Sequence, residues 1–171
     1  MHKLFVLSLI AILLVTGCQP SENAVNTVMV QTQTAIPAST ATSAPASAAD
    51  KYMLEIIPLY LAYTDAYKVL LVYLQTATAD PTTSWTDGYI SATNDLQATA
   101  DELSSLTPPA KEVETLDQLT KRLSRETAAM IRHMNGFYLE GDLNEANLAL
   151  KSIENIRMIF GLMDGEIKKN T

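Results

Sequence analysis

Residues 113–137, VETLDQLTKRLSRETAAMIRHMNGF, decide the fold. Apolar and small residues recur along this stretch at alternating spacings of three and four, which is the period of one helical face. That seam consists of Val113, Leu116, Thr120, Leu123, Thr127, Met130, Met134 and Phe137. Acidic residues dominate the first turns and arginines the later ones, an order that complements the helix dipole. The stretch therefore predicts a long amphipathic helix with one buried face.

Three further stretches, two before residues 113–137 and one after them, repeat this period. The helices predicted in this way span about 50–79, 83–106, 108–139 and 142–168. Short turns join them, so each helix must run antiparallel to its neighbours in sequence. The sequence predicts an all-α fold, an up-down-up-down antiparallel four-helix bundle over residues 50–171. A coiled-coil oligomer is the structural alternative.

Capping residues and prolines set the predicted helix boundaries. Asp50 is the predicted N-cap of the first helix, and Pro58 predicts either a kink or a separate first turn. Pro108 is expected in the first turn of the third helix, where a proline is well tolerated. Asp142, with Glu145 three residues later, resembles a capping box at the start of the fourth helix.

The segment before the bundle, residues 18–49, has a different composition. Serine, threonine, alanine and proline dominate it, and no helical or strand period is visible. Too few large apolar side chains are present to offset the chain entropy that folding removes. We expect a disordered tether, and the same composition also suits O-glycosylation.

Residues 2–18, HKLFVLSLIAILLVTGC, form the most specific stretch of the chain. A basic start precedes an apolar run from Leu4 to Val15, which is about half the ~20 residues that a transmembrane helix needs. These are the features of a secretion signal, so residues 1–17 are predicted to be a signal peptide.

The end of that stretch, Val15-Thr16-Gly17-Cys18, resembles the lipobox of bacterial lipoproteins. The resemblance implies that Cys18 becomes the lipidated first residue of the mature protein. It also implies export and anchoring to the extracytoplasmic face of a bacterial membrane, which would be the cell surface or, in a source with two membranes, the outer membrane. The segments 103–109 and 141–142 resemble those of small uncharacterised helical-bundle lipoproteins, a likeness that implies a fold and no activity.

Composition and motifs argue against several classes of function. A formal net charge of −7 opposes nucleic-acid phosphates, so no nucleic-acid partner is expected. The seams carry no carboxylates, and neither a phosphate-binding glycine loop nor a nucleophile elbow occurs. We expect no enzymatic activity and no cofactor, and the favoured function is an envelope interaction or structural module.

The alternative function is binding of a small ligand or Cu(I) in the bundle interior around His133. Met130, His133 and Met134 have the spacing of one helical face, and thioethers with an imidazole suit Cu(I). The structural interpretation is favoured, with the methionines filling the core and His133 bonded to Tyr73 or Tyr89. No metal is therefore expected.

Aromatic side chains concentrate toward the end of the bundle farthest from the tether. They are Tyr73, Trp85, Tyr89, Phe137 and Tyr138. One interpretation is a lid that closes the core, with tyrosine hydroxyls reaching solvent. The other is an interaction patch for an envelope protein, because aromatic residues dominate interface energetics. The sequence leaves the partner and the oligomeric state open.

Overall fold

The computed structural model describes residues 47–78, 81–108 and 110–170, and within these ranges every regular element is helical. The elements are α1 (Ala48–Gln75), α2 (Thr83–Ser105), a 3-10 turn (Lys111–Val113), α3 (Glu114–Tyr138) and α4 (Leu143–Lys169). The all-α, four-helix bundle fold is thereby confirmed. The predicted signal peptide and most of the tether lie outside the described residues.

The helices enclose one hydrophobic core. Every member of the α3 seam is buried, Val113 and Leu123 completely. α1 packs on α2, α2 on α3, and α3 on α4. In the described part of the chain, no helix has both the length and the apolar character needed to cross a bilayer.

Aromatic rings join α1 to α4. Phe160 of α4 lies with its ring centroid 5.8 Å from that of Tyr60, and 5.7 Å from those of Tyr63 and Tyr67. The Tyr60 hydroxyl also donates to Asp164 Oδ1 over 3.1 Å. These contacts connect the middle of α1 with the C-terminal half of α4, so large side chains fill the space between the two helices.

The start of α1 differs from the prediction. Ser47, not Asp50, is the N-cap: its Oγ accepts from the Asp50 backbone N over 3.0 Å. Asp50 completes a capping box by accepting from the Ser47 backbone N over 2.8 Å, and this hydrogen bond lowers the pKa of the Asp50 carboxyl. Ala48 and Ala49, assigned to the tether from composition, are strong helix formers and belong to α1.

α1 continues through Pro58, so the predicted separate first turn is wrong. Proline removes the hydrogen bond to the carbonyl four residues earlier, at Leu54. Both residues are exposed, and water can satisfy the carbonyl that the proline leaves without a donor.

The start of α3 also differs from the prediction. The helix begins at Glu114, because Ala110 is extended (φ −150°, ψ 154°) and a 3-10 turn follows it. Pro108 is itself followed by a proline, and a residue before proline is disfavoured in the helical region. The extra turn carries Val113 into the core.

Two glycines lie inside α4 without a packing reason in the bundle. A Cβ added at Gly161 or Gly165 would meet no atom of the described residues within 4 Å. Glycine in a helix interior costs about 1 kcal/mol relative to alanine. Alanine would fit at both positions, so these glycines weaken α4 with no compensation in the described fold.

Candidate functional site

The structure brings the five predicted aromatic residues together at the α1–α2 and α3–α4 turns. Trp85 stacks on Tyr89 with centroids 5.2 Å apart and an interplanar angle of 4°. Its centroid lies 6.4 Å from that of Tyr73 and 5.7 Å from that of Tyr138, which packs on Phe137 at 4.8 Å. We call this set the aromatic cluster.

Local sequence fixes the position of Trp85 in the cluster. Thr82 caps α2 by accepting from the Trp85 backbone N over 3.2 Å. The indole Nε1 donates to the Tyr73 carbonyl oxygen over 3.1 Å, which ties α2 to the end of α1. Gly88 leaves room for the Tyr73 ring, because a Cβ there would lie 2.7 Å from two of its ring carbons.

Burial differs strongly among the five rings. Tyr89 and Phe137 are buried, whereas Tyr73, Trp85 and Tyr138 are only partly covered. The cluster is therefore a packed lid in which three rings also meet solvent.

The predicted exposure of the tyrosine hydroxyls is wrong for two of them. Tyr89 donates to Asn135 Oδ1 over 2.9 Å. The Tyr138 hydroxyl is buried and has no hydrogen-bond partner among the described residues. Burial raises the pKa of both phenols, so both stay neutral across the physiological range.

His133 pairs with a carboxylate and not with Tyr73 or Tyr89, so that prediction is corrected. Its Nδ1 contacts Glu145 Oε2 in the first turn of α4, and its Nε2 lies 3.4 Å from a guanidinium nitrogen of Arg132. Gly136 permits the approach, since a Cβ there would be 2.8 Å from Glu145 Cγ.

The same contact changes the expected start of α4. Asp142 is the N-cap and accepts from the Asn144 backbone N over 2.9 Å. Glu145, the expected capping-box partner, directs its carboxylate to His133 instead. The α3–α4 junction is therefore held by an interhelical contact.

The three candidate metal ligands occupy different environments. Met130 and Met134 are buried in the core, while the His133 side chain is 15 % exposed at its edge and engaged by Glu145. No group of three or more His, Cys, Asp and Glu side chains suited to a metal ion occurs in the described ranges. The Cu(I) alternative stays a prediction from sequence.

Asp117 is a buried carboxylate that the sequence analysis missed. It is 4 % exposed, and its Oδ2 accepts from Lys121 Nζ over 2.8 Å. Its Oδ1 and the hydroxyl of Tyr52 are buried without hydrogen-bond partners among the described residues. Burial and the charge of Asp117 together raise the pKa of Tyr52 to about 12. The only sign of this arrangement in the sequence was the i, i+4 spacing of Asp117 and Lys121. That spacing is equally typical of an ion pair on a solvated helix surface.

An open groove of about 570 Å³ lies beside Asp117, at the opposite end of α3 from the aromatic cluster. Its lining consists of Pro108, Ala110, Lys111, Glu114, Asp117, Gln118 and Lys121. Two lysines and two carboxylates balance one another, so the groove favours neither an anion nor a cation.

Cys18, the predicted lipidation site, lies outside the described residues. Comparisons with family models, with curated proteins and with solved structures found no match. A functional assignment therefore depends on the residues of this chain.

Proposed function

We propose that this chain is a lipid-anchored, extracytoplasmic helical-bundle protein that acts as an interaction or structural module of a bacterial cell envelope. The observation that carries the proposal is the apolar run Leu4–Val15 closed by Val15-Thr16-Gly17-Cys18. In this proposal, residues 1–17 direct export and Cys18 receives the lipid.

Acyl chains at Cys18 would supply the membrane affinity. Burial of each methylene is worth ~0.8 kcal/mol, and more than one chain is needed for stable anchoring. A net charge of −7 argues against attachment through a basic surface.

The segment between Cys18 and Ser47 would act as a flexible spacer. A coil of that length has a root-mean-square span of about 30 Å. The bundle would therefore be held off the bilayer surface, with freedom to reorient.

An up-down-up-down order completes the proposal. It is supported by the contact of Tyr60 with Asp164, and by the contact of His133 with Glu145 across the α3–α4 junction. α1 is about 42 Å long at 1.5 Å per residue, so the aromatic cluster lies that far from Ser47. The partly exposed rings of Tyr73 and Trp85 would then face away from the anchored end.

Crosslinking in intact cells tests the proposed interaction surface. The full chain should capture a discrete envelope protein, and Trp85→Ala should lower that capture. Tyr89→Phe is the matched control, because it alters a fully buried ring of the same cluster and leaves the surface unchanged. Equal capture by the wild type and Trp85→Ala, with unchanged helical content, would rule out this surface.

A further inference from the structure

The outward side of the C-terminal half of α4 carries exposed apolar side chains. Met158 is 49 % exposed and Leu162 is 47 % exposed. Gly161 and Gly165 lie on the same side, since spacings of three and four residues return to one helical face. None of the described residues packs on this surface.

Opposite charges flank that apolar surface at equal distances. Glu154 lies seven residues before Gly161 and Lys168 seven residues after it, which is two helical turns in each direction. Both residues are exposed, and neither forms an ion pair with another described residue. We call the set from Glu154 to Lys168 on this side the α4 outer face.

We propose that the α4 outer face binds a second copy of this chain, with the two α4 helices antiparallel and a two-fold axis at Gly161. A two-fold interface is self-complementary, so a residue before Gly161 faces the residue equally far after it in the other copy. Glu154 of each copy then faces Lys168 of the other, which forms two interchain ion pairs. Met158, three residues before Gly161, then lies within about 1.5 Å of the level of Gly165, four residues after it, in the other copy.

The glycines acquire a role in this arrangement. Small residues let two helix backbones approach closely, as they do in other helix pairs. Met158 would fill the space that the missing Cβ of Gly165 leaves open. A close helix contact thus accounts for two glycines that destabilise α4 and that nothing else in the described fold requires.

The charge pattern favours a second copy over a membrane or an unrelated protein. Glu154 and Lys168 offset each other toward an anionic lipid surface, whereas a second copy pairs both charges at once. The inference does not depend on lipidation, because no residue of the α4 outer face belongs to the anchor or the tether.

Disulfide crosslinking in the full chain tests the two-fold axis. Gly161→Cys and Leu162→Cys each place thiols beside the axis, so copper-phenanthroline oxidation in cells should yield a disulfide-linked dimer. Asn147→Cys is the matched control on the same side of α4, because its two copies would lie about 42 Å apart along the helix axis. The wild-type chain, whose one cysteine is Cys18, measures the background of crosslinking through that residue.

Charge reversal in the Gly161→Cys background tests the register. Lys168→Glu should lower the crosslinked fraction, with dimerisation weakened about tenfold by two repulsive contacts. Adding Glu154→Lys should restore it, since both pairs are then attractive again. Cys18→Ser should reduce membrane attachment and leave dimerisation of the purified full chain intact, which separates this inference from the proposed function.

Several results would overturn the proposal. They are equal crosslinking at positions 147 and 161, no crosslinking at either 161 or 162, and failure of the double reversal to restore the dimer. A loss of helical content in a variant is detected by circular dichroism, and the second cysteine position then decides the outcome.

Discussion

Phe160 is the side chain on which the α1–α4 contact most depends. It is 2 % exposed, and its ring meets Tyr60, Tyr63 and Tyr67 with centroids 5.7 to 5.8 Å apart. Phe160→Ala removes all three ring contacts and leaves a cavity in the seam that joins the two helices.

The expected loss follows from that burial. Truncation of a buried phenylalanine to alanine costs 3–5 kcal/mol, and aromatic pairs contribute about 0.5–1.5 kcal/mol beyond their buried area. Because Phe160 packs against three large rings, we take the middle of this range and expect a loss of about 4 kcal/mol. For a bundle of this size, that lowers Tm by roughly 15 °C.

Urea unfolding of the purified chain measures this loss. Circular dichroism reports the helices and Trp85 fluorescence reports the far end of the bundle, so coincident transitions show two-state unfolding. Leu148→Ala is the matched control on α4, where a side chain 44 % exposed should cost less than about 0.5 kcal/mol. A loss below about 1.5 kcal/mol for Phe160→Ala, or an equal loss for the control, would refute the role of Phe160 in closing the bundle.

Three further predictions concern buried or partly buried polar groups. The pKa of Tyr52 is about 12 in the folded state against an ordinary 10.0, so the unfolded state loses its proton first and stability should fall as pH rises from 10 to 12. Urea midpoints across that range should fall less steeply in Tyr52→Phe, and identical slopes would contradict the prediction. Tyr138→Phe should be neutral or stabilising because its hydroxyl has no partner, whereas Tyr89→Phe should cost about 1–3 kcal/mol by breaking a hydrogen bond. The reverse order of urea midpoints would contradict the cluster geometry. In a double-mutant cycle, His133→Ala and Glu145→Ala should show a coupling free energy of about 1 kcal/mol, and additive losses would show that their contact contributes nothing.

The buried faces of the helices could be read from sequence because burial itself imposes their period. Each α3 seam residue is buried, including Thr120 and Thr127, whose hydroxyls bond to carbonyls of the same helix. The aromatic cluster was predictable for the same reason, since antiparallel neighbours bring sequence-distant turns to one end of a bundle.

Features that depend on several residues at once could not be predicted from the sequence. Asp50 and Pro108 each fit the start of a helix when they are considered alone. In the structure, Ser47 sets the start of α1, and the second of two consecutive prolines delays the start of α3. The burial of Asp117 and the pairing of His133 with Glu145 depend on how neighbouring helices approach, and no period in a single helix encodes that.

The central claim is that a lipid on Cys18 holds this bundle at a membrane. Intact-mass spectrometry of the protein extracted from membranes, compared with fractionation of the Cys18→Ser variant, tests it most directly. The account predicts a mature chain that begins at Cys18 and carries acyl chains, and loss of the variant from the membrane fraction. An unmodified Cys18, or a Cys18→Ser variant that is mature and still membrane-bound, would contradict it.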